Sequence, residues 1–137
     1  MSYYFSTILK ATFADAMNRA RQALKDEGFG IISEIDIQGT LREKIGADFR
    51  PYTILGACNP ALAHEALNLE DKVGTMLPCN VVVQETANGV EVAAIDPVAS
   101  MAAIQNDRLK EKAAIVAGKL QRAIENLAQG VGVAMTD

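Results

Sequence analysis

Asn80-Val81-Val82-Val83-Gln84-Glu85-Thr86-Ala87-Asn88-Gly89-Val90-Glu91-Val92-Ala93-Ala94-Ile95 is the stretch that decides the fold. Asn88-Gly89 accepts the positive φ of a type I′ turn, and β-branched apolar runs flank it. Residues 80–85 and 90–95 are therefore expected to pair as an antiparallel hairpin. Such a hairpin interrupts strict strand–helix alternation and argues against a doubly wound parallel sheet. The run Val81-Val82-Val83 suits a strand buried on both faces.

Upstream of the hairpin, Asn59-Pro60 starts a helix through Asn68, because Asn caps and proline lacks only an N–H that would go unpaired there. Residues 50–57 read as a strand that stops at Cys58, and Thr40 with Glu43 form a capping-box pattern for a short helix closed by Gly46. Residues 29–37 read as another strand, with Ile31, Ile35 and Ile37 on one face and Glu34 and Asp36 on the other. Before it, Thr12 caps a helix whose stripe is Phe13, Ala16, Met17, Ala20, Ala23 and Leu24, ended by Gly28. Residues 3–10 make the first strand.

Downstream, Asp96-Pro97 opens a helix to about Ala103. Asn106 or Asp107 caps a longer one with Leu109, Ala113, Val116, Leu120, Ile124 and Leu127 as its stripe, stopped by Gly130. Residues 131–137 are expected to fray. The order β-α-β-(α)-β-α-β-β-α-α gives an α+β fold: a mainly antiparallel five-stranded sheet with helices on one face. The uncovered face is expected to be closed by a homodimer.

A chain of 137 residues is one domain by length, and burial of roughly two-thirds of its unfolded surface makes a disulfide or metal unnecessary. A net charge of −4 opposes nucleic-acid binding, which rests on a basic surface. The last helix is a local exception: Arg108, Lys110, Lys112, Lys119 and Arg122 outnumber Asp107, Glu111 and Glu125, although a solvated face is the ordinary meaning of such a run. No signal peptide stands at the N-terminus and no apolar run approaches the ~20 residues that span a bilayer. Two cysteines without an export signal suggest free thiols in a reducing cytoplasm.

Chemistry concentrates at two Cys-Asn pairs, Cys58-Asn59 and Cys79-Asn80. Cys58 sits just before a helix cap, where the helix dipole lowers a thiol pKa. The plain alternative is a small buried hydrophobe, and it is stronger for Cys79, which leads into an apolar strand. The spacing of Cys58, His64 and Cys79 matches no compact zinc pattern, so no metal site is assigned. Arg50 and Tyr52, with Arg42 and Lys44 nearby, offer a place for an anion; a solvated loop is the plainer account. No dinucleotide fingerprint, P-loop or nucleophile elbow occurs, and the sequence leaves any cofactor unknown.

Several long segments also resemble a known family. They are Glu34-Ile35-Asp36-Ile37-Gln38-Gly39-Thr40-Leu41-Arg42-Glu43-Lys44, Phe49-Arg50-Pro51-Tyr52-Thr53-Ile54-Leu55-Gly56-Ala57-Cys58-Asn59-Pro60, Leu77-Pro78-Cys79-Asn80-Val81-Val82-Val83 and Ala94-Ile95-Asp96-Pro97. In order, they resemble the prokaryotic family called domain of unknown function 302, over roughly residues 3–103, with 104–130 as a helical extension. The resemblance implies an α+β fold of the kind seen in TATA-binding-protein-like domains, a dimer, and no settled activity.

The resulting expectation is a small cytosolic homodimer that binds an unidentified small molecule between sheet and helices. Cys58, Asn59, Cys79 and Asn80 would line its pocket, with Arg50 and Tyr52 as further contacts. Two alternatives stand beside it. One is a thiol enzyme or redox sensor acting through Cys58 with Cys79; the other is an interaction protein using the basic last helix.

Overall fold

A computed structural model describes residues 2–130; the tail expected to fray lies outside the described residues. The elements in chain order are β1 (Tyr4–Leu9), α1 (Phe13–Asp26), β2 (Gly30–Asp36), α2 (Ile37–Ile45), β3 (Tyr52–Cys58), α3 (Pro60–Leu69), a 3-10 helix (Asp71–Met76), β4 (Cys79–Thr86), β5 (Gly89–Ile95), α4 (Pro97–Ser100) and α5 (Asp107–Ala128). The five strands form one sheet in the order β1-β5-β4-β3-β2, and every neighbouring pair is antiparallel. The expected α+β architecture is present.

The hairpin forms, but its turn is not the expected type I′. Strand pairing runs from Val81 opposite Ala94 to Thr86 opposite Gly89. Among the described residues no non-glycine has a positive φ, so Asn88 does not supply one; Gly89 does, at 140°. Thr86 makes the difference: its Oγ1 accepts the Asn88 N–H at 3.2 Å and donates to the Gly89 carbonyl at 2.9 Å. A Cβ on Gly89 would lie 2.5 Å from the Leu9 carbonyl oxygen, so strand β1 also excludes a side chain there.

Alternation along the strands sends one set of side chains inward. Leu55, Ala57, Val81, Val83, Val90, Val92 and Ala94 are buried beneath Ala16, Met17, Ala20 and Leu24 of α1 and Leu120, Ala123, Ile124 and Leu127 of α5. Alanines at the inner positions of α1 allow that helix to lie close on the sheet. Thr12 caps α1, accepting the Asp15 N–H at 3.1 Å. At its other end Gly28 N–H reaches Lys25 O and Phe29 N–H reaches Leu24 O, the paired bonds of a Schellman stop.

Three local expectations are corrected. Helix α2 begins at Ile37, not at Thr40, because Asp36 caps it by accepting the Gly39 N–H at 3.0 Å. Ile37 is thus helical, and a bulge in β2 puts Ile31 on the inner face while Ile35 lies on the open one. Finally, β4 is not buried on both faces: Val81 and Val83 are buried but Val82 is half-buried on the open side of the sheet. The helix at 107–128, set apart from the family-like core by sequence, is a structural part of the main core through its C-terminal half.

Candidate functional site

The site grows from the place where β3 ends, β4 begins and β2 is irregular. Across β2 and β3, Ile31 pairs with Ala57 and Ser33 with Gly56, leaving Ile32 as an extra residue without a partner. Such a bulge re-aims a side chain. Here it sets Ile32, 65% exposed, at the rim of a cavity rather than in the sheet ladder. Gly56, the partner of Ser33 after the bulge, has no room for a side chain: a Cβ there would clash with Ser33 Oγ and lie 2.7 Å from Pro78 Cγ.

The cavity has a volume of about 290 Å³, near the lower end of the ~300–1,000 Å³ usual for small-ligand pockets. Ala57, Cys58, Asn59, Pro78 and Cys79 form its sheet-side wall. Leu62, Ala63, Ala66 and Leu67 of α3 form a second wall, with Met101, Leu109, Lys112, Ala113 and Val116 opposite. The wall is almost wholly hydrocarbon and sulfur. Among the described residues Lys112 is its one charged side chain, and Glu65 forms an ion pair with Lys112 Nζ at 3.0 Å.

Ala66, Met101, Leu109 and Ala113 of this wall join Val73 in a small satellite cluster separate from the main core. The 3-10 helix supplies Val73, and no sequence signal marked that helix. Asn106 binds the cluster together, its Oδ1 accepting the Leu109 N–H at 3.0 Å and its Nδ2 donating to Leu69 O at 3.1 Å. One residue therefore caps α5 and ties it to the end of α3.

Both thiols line this cavity: Cys79 shares the inner face with its partner Ala57, and Cys58 is the last residue of β3, where the chain turns into the α3 cap. Both are free, Cys58 half-buried and Cys79 buried. Burial, reinforced by the nearby Cys58 charge, pushes the Cys79 thiol up to about 11. At neutral pH Cys79 is a protonated, soft apolar wall group. Asn59 also lines the cavity, but its Oδ1 is engaged in capping α3 through the Leu62 N–H at 3.2 Å.

The other sequence-selected residues lie elsewhere. Asn80, one step along β4, falls on the opposite face of the sheet by strand alternation and does not line the cavity. With Tyr52 it borders a shallow depression of about 350 Å³ on the open face, among Tyr4, Val82, Gln84, Glu91 and Ile95. The expected single pocket is thus divided, with Cys58, Asn59 and Cys79 on the helix side and Tyr52 and Asn80 on the open side. Arg50 stands at the margin of the latter, 4.4 Å over the Phe49 ring and 5.5 Å from that of Tyr52. Its Nε donates to Gln84 Oε1 at 2.8 Å, and Gln84 Nε2 donates to Glu91 Oε1 at 2.9 Å.

Sequence reasoning missed Ile32, Met101 and Lys112. Ile32 carries no advance signal, because a bulge is invisible in an alternating strand. Lys112 carried one: it stands three residues after Leu109 and four before Val116, on the edge of the apolar stripe. The basic face of α5 is less free than its composition suggested, since Arg122 Nε also pairs with Glu27 at 3.1 Å. His64 pairs with Asn68 on its own helix at 3.3 Å. Among the described residues no three His, Cys, Asp or Glu side chains gather where they could hold a metal, and no helix is long and apolar enough to cross a membrane.

Comparison with known proteins gives a family and a fold relative. No curated protein matches the chain. A solved structure, the crystal structure of an uncharacterized conserved protein DUF302 from Bacillus stearothermophilus, superposes with a TM-score of 0.85 at 28% identity, covering 91% of this chain and 98% of that one. The sequence pattern of Domain of unknown function DUF302 matches residues 5–127, extending through α5 and past the limit near residue 103 expected from the motifs. With nearly the whole chain matched and the fold shared, this protein belongs to the DUF302 family.

Proposed function

We propose that this protein is a binding module for a small, largely apolar molecule held in the cavity between the β3–β4 strand ends and α3, α4 and α5. The observation that supports it is the cavity itself: about 290 Å³ of space walled by hydrocarbon and two thiols. An apolar void of this kind forfeits dispersion contacts, and a ligand that fills it regains them. The test is a series of n-alkanols of increasing length followed by calorimetry and thermal unfolding. Affinity should rise about fourfold per methylene, from ~0.8 kcal/mol each, until the cavity is full. Replacing Ala113 by Met should abolish the response. A flat series, or an Ala113→Met protein that responds like the parent, contradicts the proposal.

A thiol reading centred on Cys58 is the weaker one. Cys79 would be its resolving partner, and its pKa of about 11 leaves it unreactive near neutrality. Two free cysteines nonetheless fit the reducing cytosol that we assign as its compartment.

For the open face of the sheet we propose a second copy of this chain. Its middle row is Ala93, Val82, Ile54 and Ile35, and Tyr4 and Ile8 are exposed beside it. The face carries Glu91 and, at its margin, Arg50, so two copies would meet with little net charge to separate them. A two-fold pairing requires such a self-compatible patch. Light scattering should give the mass of a dimer for the parent and of a monomer for Val82→Lys; a monomeric parent overturns this assignment.

A further inference from the structure

We infer that the cavity's occupant is a monoanionic amphiphile, an apolar chain or ring with one carboxylate-like head that docks on Lys112. This inference rests on the ligand-binding proposal above and adds the chemical class. The cavity has a polarity gradient along one direction. Its inner end, at Cys79, Met101 and Leu109, offers no fixed charge, and protonated Cys79 keeps it uncharged at neutral pH. Lys112 belongs to the wall at the mouth, where its side chain is 31% exposed. A lysine placed this way lays its methylene stem along the apolar wall and holds its ammonium at the water boundary.

The only charge partner of that ammonium among the described residues is Glu65, which is 50% exposed and does not itself form part of the wall. A half-solvated pair of this kind contributes little and exchanges readily. A ligand carboxylate emerging from the cavity can take the place of Glu65 on Lys112 Nζ, while Glu65 turns to water at small cost. An ammonium head would meet Lys112 first and be repelled. A neutral alcohol would gain the apolar burial and nothing from the lysine.

Octanoate, octan-1-ol and octylamine have matched chains and differ in the head, so calorimetric titration of the full chain at neutral pH separates the possibilities. Octanoate should bind about three- to tenfold more tightly than octan-1-ol, the range of a charge-assisted contact at a partly screened site, and octylamine should bind most weakly. Lys112→Met should bring the octanoate-to-octanol ratio near one. Glu65→Gln, which removes the competing carboxylate and leaves the wall intact, should tighten octanoate relative to octanol. Equal binding of octanoate and octanol by the parent, or a preference for octylamine, overturns the anionic-head assignment while leaving the apolar cavity in place. Failure of all three compounds to bind removes the ligand-binding proposal itself.

Discussion

The main core and the satellite cluster are built from the same helix to opposite standards of packing. The C-terminal half of α5 presents Leu120, Ala123, Ile124 and Leu127 to the sheet, where they close a continuous core with α1. Its N-terminal half presents Leu109 and Ala113 to a cluster of five buried residues, and beside them space is left. The sheet offers a flat, regular surface for the first half. For the second half the partners are α3, a 3-10 helix and a four-residue helix, which meet beyond the strand ends and do not interlock as layers. One helix can therefore close a continuous core along one half and leave space beside the other.

Substitutions that remove similar volumes from the two regions should separate them. Leu120→Ala in the main core should cost about 3–5 kcal/mol of unfolding free energy, measured by urea titration, because the sheet and α1 cannot collapse into the gap. A cost below that measured for Met101→Ala would reverse the comparison.

The cavity wall, where the main core contributes Cys79, should also show itself through pH. Cys79 holds its proton to about 11 in the folded chain, against an ordinary 9.0. Below pH 9 both states are protonated and nothing is lost. Between pH 9 and 11 the unfolded chain releases a proton that the folded chain keeps, so stability falls, by about 2–3 kcal/mol once pH passes 11. Cys79→Ala should flatten that part of the stability–pH curve relative to the parent; parallel curves would show that Cys79 is not held in an apolar wall.

Met101→Ala should be milder than Leu120→Ala, near the ~2 kcal/mol floor for such truncations, because the cavity already leaves Met101 without neighbours on one side. It should also admit longer alkanols than the parent does. Asn59→Ala, which removes the α3 cap at the cavity wall, should have the smallest effect, about 1 kcal/mol, with weakened ligand binding as α3 frays.

How far the sequence revealed this division depends on the element. The stripe of α1, the Asn59-Pro60 and Asp96-Pro97 helix starts and the 80–95 hairpin were all legible, because each rests on periodicity or on a cap that acts within a few residues. The approach of Cys58 and Cys79 was a guess from sequence, and it follows from β3–β4 register. Asn80 was misplaced because Cys79 and Asn80, adjacent within β4, point to opposite faces, whereas Cys58 stands at the very end of β3, where the chain leaves the sheet. The bulge at Ile32 and the 3-10 helix left no mark, since both are settled by distant partners, Gly56 for the bulge and Met101 and Leu109 around Val73 for the helix. The site was half visible because its sulfur atoms carry chemistry in the sequence and its cavity does not.

The two buried methionines among the described residues allow the most direct test. Met17 lies in the main core and Met101 in the cavity wall. With methyl-labelled methionine, NMR spectra recorded during titration with octan-1-ol should show the Met101 methyl signal shifting to saturation while that of Met17 stays in place. Equal shifts at both, or none at Met101 at saturating alcohol, would contradict a preformed apolar binding cavity in this region of the fold.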